Sequence, residues 1–175
     1  MGESPNANAE IDQLFSSLYQ DLRQLARRRL HRSEKITLLD TTALVHESYL
    51  RFLKAGRVEV GDRTRFLAYA AQVMRSVIVD FVRRRRAARR GGDSSQETFD
   101  PSKIDAIHRA EDEIIRVNDA LDELAKANTR LVQVVEMRYF GGLDEQEIAA
   151  SLGVTDRTVR REWEKARLLL SVALK

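Results

Sequence analysis

The sequence predicts an all-α protein made of two small helical domains joined by a flexible linker, the second ending in a helix-turn-helix. Three observations predict it. Apolar residues recur at spacings of three and four through most of the chain, the period of a helix with one buried face. Only two prolines and eight glycines interrupt 175 residues, and alternating β-branched runs are few. Finally, the stretch Glu145 to Lys165 places two short apolar stripes on either side of a glycine.

Taken in order, Ile11, Leu14, Phe15, Leu18, Leu22 and Leu25 predict an amphipathic helix from about 10 to 30, with Arg23, Arg27, Arg28 and Arg29 on its other face. The nine residues before it are expected to be disordered. After a polar break, a second helix is expected from about Thr41 to Lys54, with Leu44, Val45, Tyr49, Phe52 and Leu53 as buried or contact positions. Ala55 to Arg63, with two glycines, reads as a loop. A third helix, about Thr64 to Arg86, carries Phe66, Leu67, Ala70, Val73, Met74, Val77, Ile78 and Phe81 on its apolar side. Gly91 and Gly92 stop it, and the linker is placed over 91–110, with helicity resuming near Asp105 or Glu111. In the C-terminal domain, 111–175, Ile114, Val117, Leu121 and Leu124 form one stripe, broken near Asn128. Leu131, Val132, Val135, Met137 and Phe140 form the next, closed by Gly141 and Gly142.

The final unit is read from packing. Ile148, Ala149 and Leu152 form the stripe of one helix, and Val154, Val159 and Trp163 the facing stripe of another. Gly153 sits where the chain must turn sharply, a position favouring a residue without Cβ. Asp144 with Glu147 reads as a capping box, and Thr155 as the second N-cap. Asp156, Arg157, Thr158, Arg160, Arg161, Glu164 and Lys165 are left outward, side chains able to reach phosphates and base edges. An ordinary helical hairpin with a basic, solvated face is the plainer reading. The register of apolar, small, glycine and cationic positions favours DNA.

Charge is unevenly placed. Between Arg65 and Arg90 there are eight arginines against the single acid Asp80, whereas Asp93 to Glu113 holds seven carboxylates against Lys103 and Arg109. The first block calls for a polyanion partner and the second reads as a solvated connector. Phe66, Tyr69 and Phe81 lie on the arginine-bearing helix. Aromatics beside cations can hold unstacked bases, but their apolar spacing equally places both phenylalanines in the core. The absence of cysteine excludes disulfides and thiolate metal sites, and His31, His46 and His108 show no ligand spacing. No glycine-rich phosphate loop, metal cluster or paired nucleophile and base is visible, so neither a cofactor nor enzymatic activity is expected. No stretch approaches a membrane span. The start MGESPNANAE is unlike a secretory signal, and a cytoplasmic bacterial protein is expected.

The order of motifs carries a resemblance. An amphipathic helix is followed by LVHESYLRFL (Leu44 to Leu53), then FLAYAAQVMRSVIVDFVRRRR (Phe66 to Arg86), a linker and a terminal helix-turn-helix. This resembles the bacterial sigma-70 family, specifically the small extracytoplasmic-function (ECF) sigma factors that keep only the second and fourth conserved regions. The resemblance covers about 10–90 and 110–173. It implies that Leu44, Val45, His46, Glu47, Tyr49, Leu50 and Arg51 meet the clamp of the largest subunit of core RNA polymerase. It implies that Arg75, Ser76, Asp80, Arg83 and Arg84 recognise and melt the promoter's minus-ten element. The minus-thirty-five element falls to Arg157, Thr158, Arg160, Arg161 and Lys165, and an anti-sigma factor is a further partner in most relatives. This chain departs from the common pattern at Ala43, His46 and Ser76, where many relatives have Asp, Gln and Asn. The acidic linker is read as a nucleic-acid mimic. The competing reading is a stand-alone helix-turn-helix regulator of duplex DNA, whose dimers would bind a two-fold symmetric site.

Overall fold

A computed structural model of the chain describes residues 41–55, 63–91 and 101–175, together with scattered positions between 9 and 27. The described positions between 9 and 27 are all helical. Six α-helices follow: α1 Thr41–Ala55, α2 Arg63–Arg90, α3 Pro101–Ala127, α4 Thr129–Val135, α5 Glu145–Leu152 and α6 Asp156–Ala173. A π-helical turn, Glu136–Phe140, extends α4. There is no strand among the described residues, as the composition predicts. No described helix is long and apolar enough to cross a membrane.

Two of these helices exceed their expected lengths. α2 runs four residues past Arg86, through Ala87, Ala88, Arg89 and Arg90. Alanine and arginine are strong helix formers, and cations at a C-terminus complement the helix dipole. α3 begins at Pro101, so residues 101–110, which the sequence reading leaves in the linker, are helical. Proline suits the first helical position, where its missing N–H costs nothing. Residues 92–100 lie outside the described residues, and with them the linker acids Asp93, Glu97 and Asp100. The break near Asn128 is real. Asn128 is extended at φ −159° and its side chain accepts a hydrogen bond from the Leu131 N–H, which caps α4.

The buried side chains form two clusters. In the larger, Leu44, Phe52, Phe66, Ala70, Met74 and Val77 of α1 and α2 share one core with Val134, Met137, Leu143, Ile148, Ala149 and Val159. The smaller joins Leu121 and Leu124 of α3, Leu131, Val132 and Val135 of α4, and Ala166 of α6. The larger cluster therefore unites α2 with the helix-turn-helix. The two expected domains share this apolar contact.

Candidate nucleic-acid interface

The helix-turn-helix is set by local chemistry. The Asp144 carboxylate accepts from the Glu147 N–H at 2.8 Å, and the Glu147 carboxylate accepts from the Asp144 N–H at 3.0 Å. This completes the expected capping box at the start of α5. Gly153 closes that helix in the left-handed region, φ +65°, a conformation costly to residues with a Cβ. The Val154 N–H then bonds back to the Ala149 carbonyl at 3.0 Å. Thr155 caps α6, its hydroxyl accepting from the Thr158 N–H at 3.3 Å. Ile148, Ala149 and Val159 are buried between the two helices, with Leu152, Val154 and Trp163 packed against them. Burying Val159 turns Arg157, Arg160, Arg161 and Lys165 to solvent. Thr158 is half-buried, and its hydroxyl lies 3.0 Å from that of Thr155, so it belongs to the cap as much as to the outer face.

Beneath this face runs a chain of contacts that sequence reasoning missed. Arg138 of the π-helical turn lies over the Trp163 ring, 4.8 Å from its centroid. It also donates to Glu145 at 3.0 Å. The other Glu145 oxygen accepts from Nε of Arg160 at 3.0 Å. These two guanidiniums, Arg138 first, hold the Glu145 carboxyl below the usual carboxylate range. A glutamate at the first position of a helix normally reads as a complement to the helix dipole, which hides its second use.

The arginine-rich helix is placed differently from expectation. Arg75 is largely buried between α2 and α3. It donates to Glu136 at 2.7 Å, to the Asn118 side chain at 2.9 Å and to Asp122 at 2.7 Å. Further along, Arg85 and Arg89 converge on Glu111 at 2.8 and 2.5 Å, and Glu111 is fully buried. Arg86 pairs with Asp112 at 3.1 Å and Arg83 with Asp119 at 3.9 Å. Partners descend along α3 as the arginines ascend along α2, an antiparallel charge ladder. Arg84 is exposed, and its Nε lies 3.4 Å from the Asp80 carbonyl. Phe66 is fully buried and packs on Phe52, whose ring centroid is 5.4 Å away, which gives it a core role. Tyr69 also packs on Phe52 at 5.4 Å. Phe81 is half-buried beneath Arg85, whose guanidinium lies 5.9 Å from the ring centroid.

Of the positions expected to meet polymerase, Leu44 and Val45 are buried in the core and present no surface to a partner. Their part is to seat α1 on α2. His46 and Leu50 are exposed, Leu50 at 43%, and Glu47 is half-buried. Tyr49 packs on Phe15 with centroids 4.4 Å apart, and its phenol donates to Asp12, which raises its pKa above the usual tyrosine value. Arg51 donates to Ser76 at 2.7 Å and to Asp80 at 2.9 Å. It therefore ties the expected polymerase face to the expected minus-ten face. Among the described residues, one group of cations is exposed on α6 and another, on α2, is paired with the carboxylates of α3.

Comparison with known proteins agrees with this architecture. The family model described as ECF sigma factor matches residues 3–175. No match was found among curated proteins or among solved structures. A match over nearly the whole chain, on an all-α fold ending in a capped helix-turn-helix, shows that this protein belongs to the ECF sigma factor family, whose members act with core RNA polymerase and promoter DNA in transcription initiation.

Proposed function

We propose that this chain directs core RNA polymerase to promoters by reading a minus-thirty-five element with α6 and capturing the minus-ten strand with α2. The carrying observation is the outer face of α6. Arg157, Arg160, Arg161 and Lys165 are exposed, Arg160 with its Nε on Glu145, while the opposite side is locked in the core. That is the layout of a helix that enters the major groove, with phosphate contacts positioning it and base-edge contacts specifying sequence.

Minus-ten capture requires a rearrangement. Arg75, Arg83 and Arg86 of α2 are engaged by α3, so a promoter strand that takes them has to displace Asp122, Asp119 and Asp112. Docking of the α1 surface around His46, Glu47 and Leu50 on the polymerase clamp supplies the binding energy for that exchange. An anti-sigma factor that favours the closed form would hold the protein inactive. The test is footprinting of the complex with core polymerase, combined with chemical probing for unpaired thymines. Upstream duplex protection with unpaired bases about one to two helical turns downstream supports the reading. Two-fold symmetric protection by the chain alone, with no unpaired bases, would establish the stand-alone regulator instead.

A further inference from the structure

We propose that Glu145 is a specificity-determining positioning residue, fixing the Arg160 guanidinium so that its two terminal nitrogens meet a guanine edge in the major groove. This rests on the reading that α6 enters that groove. The geometry has three parts. Glu145 engages Arg160 through Nε, not through either terminal nitrogen. Guanidinium is planar with five N–H donors in fixed directions, so holding the Nε edge orients the pair of terminal amino groups. That pair matches the two acceptors of guanine, O6 and N7.

Glu145 is itself held. Its other oxygen is tied to Arg138, and Arg138 is stacked on Trp163, which packs in both apolar clusters. An anchored carboxylate selects one geometry for a flexible arginine and lowers the conformational entropy lost when the base contact forms. The Arg160 side chain is 64% exposed, so the pair contributes little to folding stability. The anchor's effect is therefore on orientation.

The same carboxylate opposes the approach of phosphate, so removing its charge separates two effects. Non-specific affinity stays level or rises, while discrimination at one base falls. The experiment uses the full chain bound to core polymerase and a duplex library randomised over the upstream element, selected and sequenced. Wild type should select guanine at one position, and Arg160→Lys should lose that choice. Glu145→Gln should relax the same position by roughly tenfold, in the lower part of what a bidentate arginine contact discriminates. Other positions keep their ranking. In an Arg160→Ala background, Glu145→Gln should change base preference no further.

The proposal is overturned if Glu145→Gln selects the wild-type sequence with undiminished preference. It is also overturned if affinity rises for every sequence alike, or if all positions relax together with a lower Tm, the signature of a purely structural role. Failure of the parent reading looks different. There, wild type selects no sequence, or Arg160→Ala and Arg161→Ala leave the selected sequence intact.

Discussion

Arg75 and Arg160 illustrate how one residue type serves two ends in this protein. Arg75 is nearly enclosed by three acceptor side chains, so its charge is committed to holding α2 against α3 and the π-helical turn. Arg160 pairs with the Glu145 carboxylate and is otherwise largely exposed to solvent. Exposure, not sequence neighbourhood, separates a structural cation from one available to DNA. The anchor on Arg160 is also robust to pH in a defined direction. The Glu145 carboxyl titrates below its unfolded value, so its contribution is present above the usual carboxylate range and is lost only as pH falls through the lowered value. Leu50 is the residue that tests polymerase docking. It is 43% exposed on α1, so Leu50→Asp should leave the circular dichroism spectrum and Tm near wild type. The same variant should bind core polymerase more weakly, because a charge would enter an apolar contact. Undiminished co-purification with core polymerase would move the docking face away from α1.

At the scale of the element, the helix-turn-helix was legible because everything that specifies it lies within about thirty residues. Asp144, Glu147, Gly153 and Thr155 each meet a backbone group three to five positions away. Periodicity, caps and glycines are the signals that local physics leaves in a sequence. The turn before it shows the limit of that reading. Gly141 and Gly142 mark a helix end, but not that the end is π-helical, with the Gly141 N–H bonded to the Glu136 carbonyl at 2.8 Å. The two glycine sites predict different penalties. A Cβ on Gly141 would lie 2.5 Å from the Met137 carbonyl oxygen, whereas one on Gly153 meets nothing within 4 Å. Gly153→Ala should cost about 1–2 kcal/mol, the price of a left-handed alanine. Gly141→Ala should cost more, because backbone has to move. Equal shifts in the denaturation midpoint for the two variants would contradict this account of the turn.

For the whole molecule, the decisive interactions join residues far apart in sequence, and these were not legible. The arginines of α2 and the acids of α3 were visible as two charged blocks. Periodicity shows that a face is polar, not which other face it meets. Arg75 reaches Glu136 across 61 positions, and Phe66 sits in a core completed by Ile148 and Val159. The result is a closed chain in which acids expected to solvate a connector hold the arginine-rich helix α2. Glu111 is the fixed point of the ladder, fully buried between Arg85 and Arg89. Glu111→Gln should destabilise the protein by about 3 kcal/mol, the low end for breaking a buried pair because both arginines reach solvent. Losing less than about 1 kcal/mol in a denaturant titration would show the triad to be unimportant. By contrast, the Arg83–Asp119 pair, 3.9 Å apart with both side chains more than half exposed, should contribute almost nothing.

In the function proposed here, the cations of α6 confer promoter specificity on core polymerase. Run-off transcription tests it most directly, with core polymerase alone, with the wild-type chain, and with a variant carrying both Arg157→Ala and Arg161→Ala, on a library of promoter fragments. New transcripts are expected with the wild-type chain and their loss with the double variant, while both proteins still bind core polymerase. Transcripts identical to those of core polymerase alone, from a wild-type chain that binds a duplex site tightly, would contradict it.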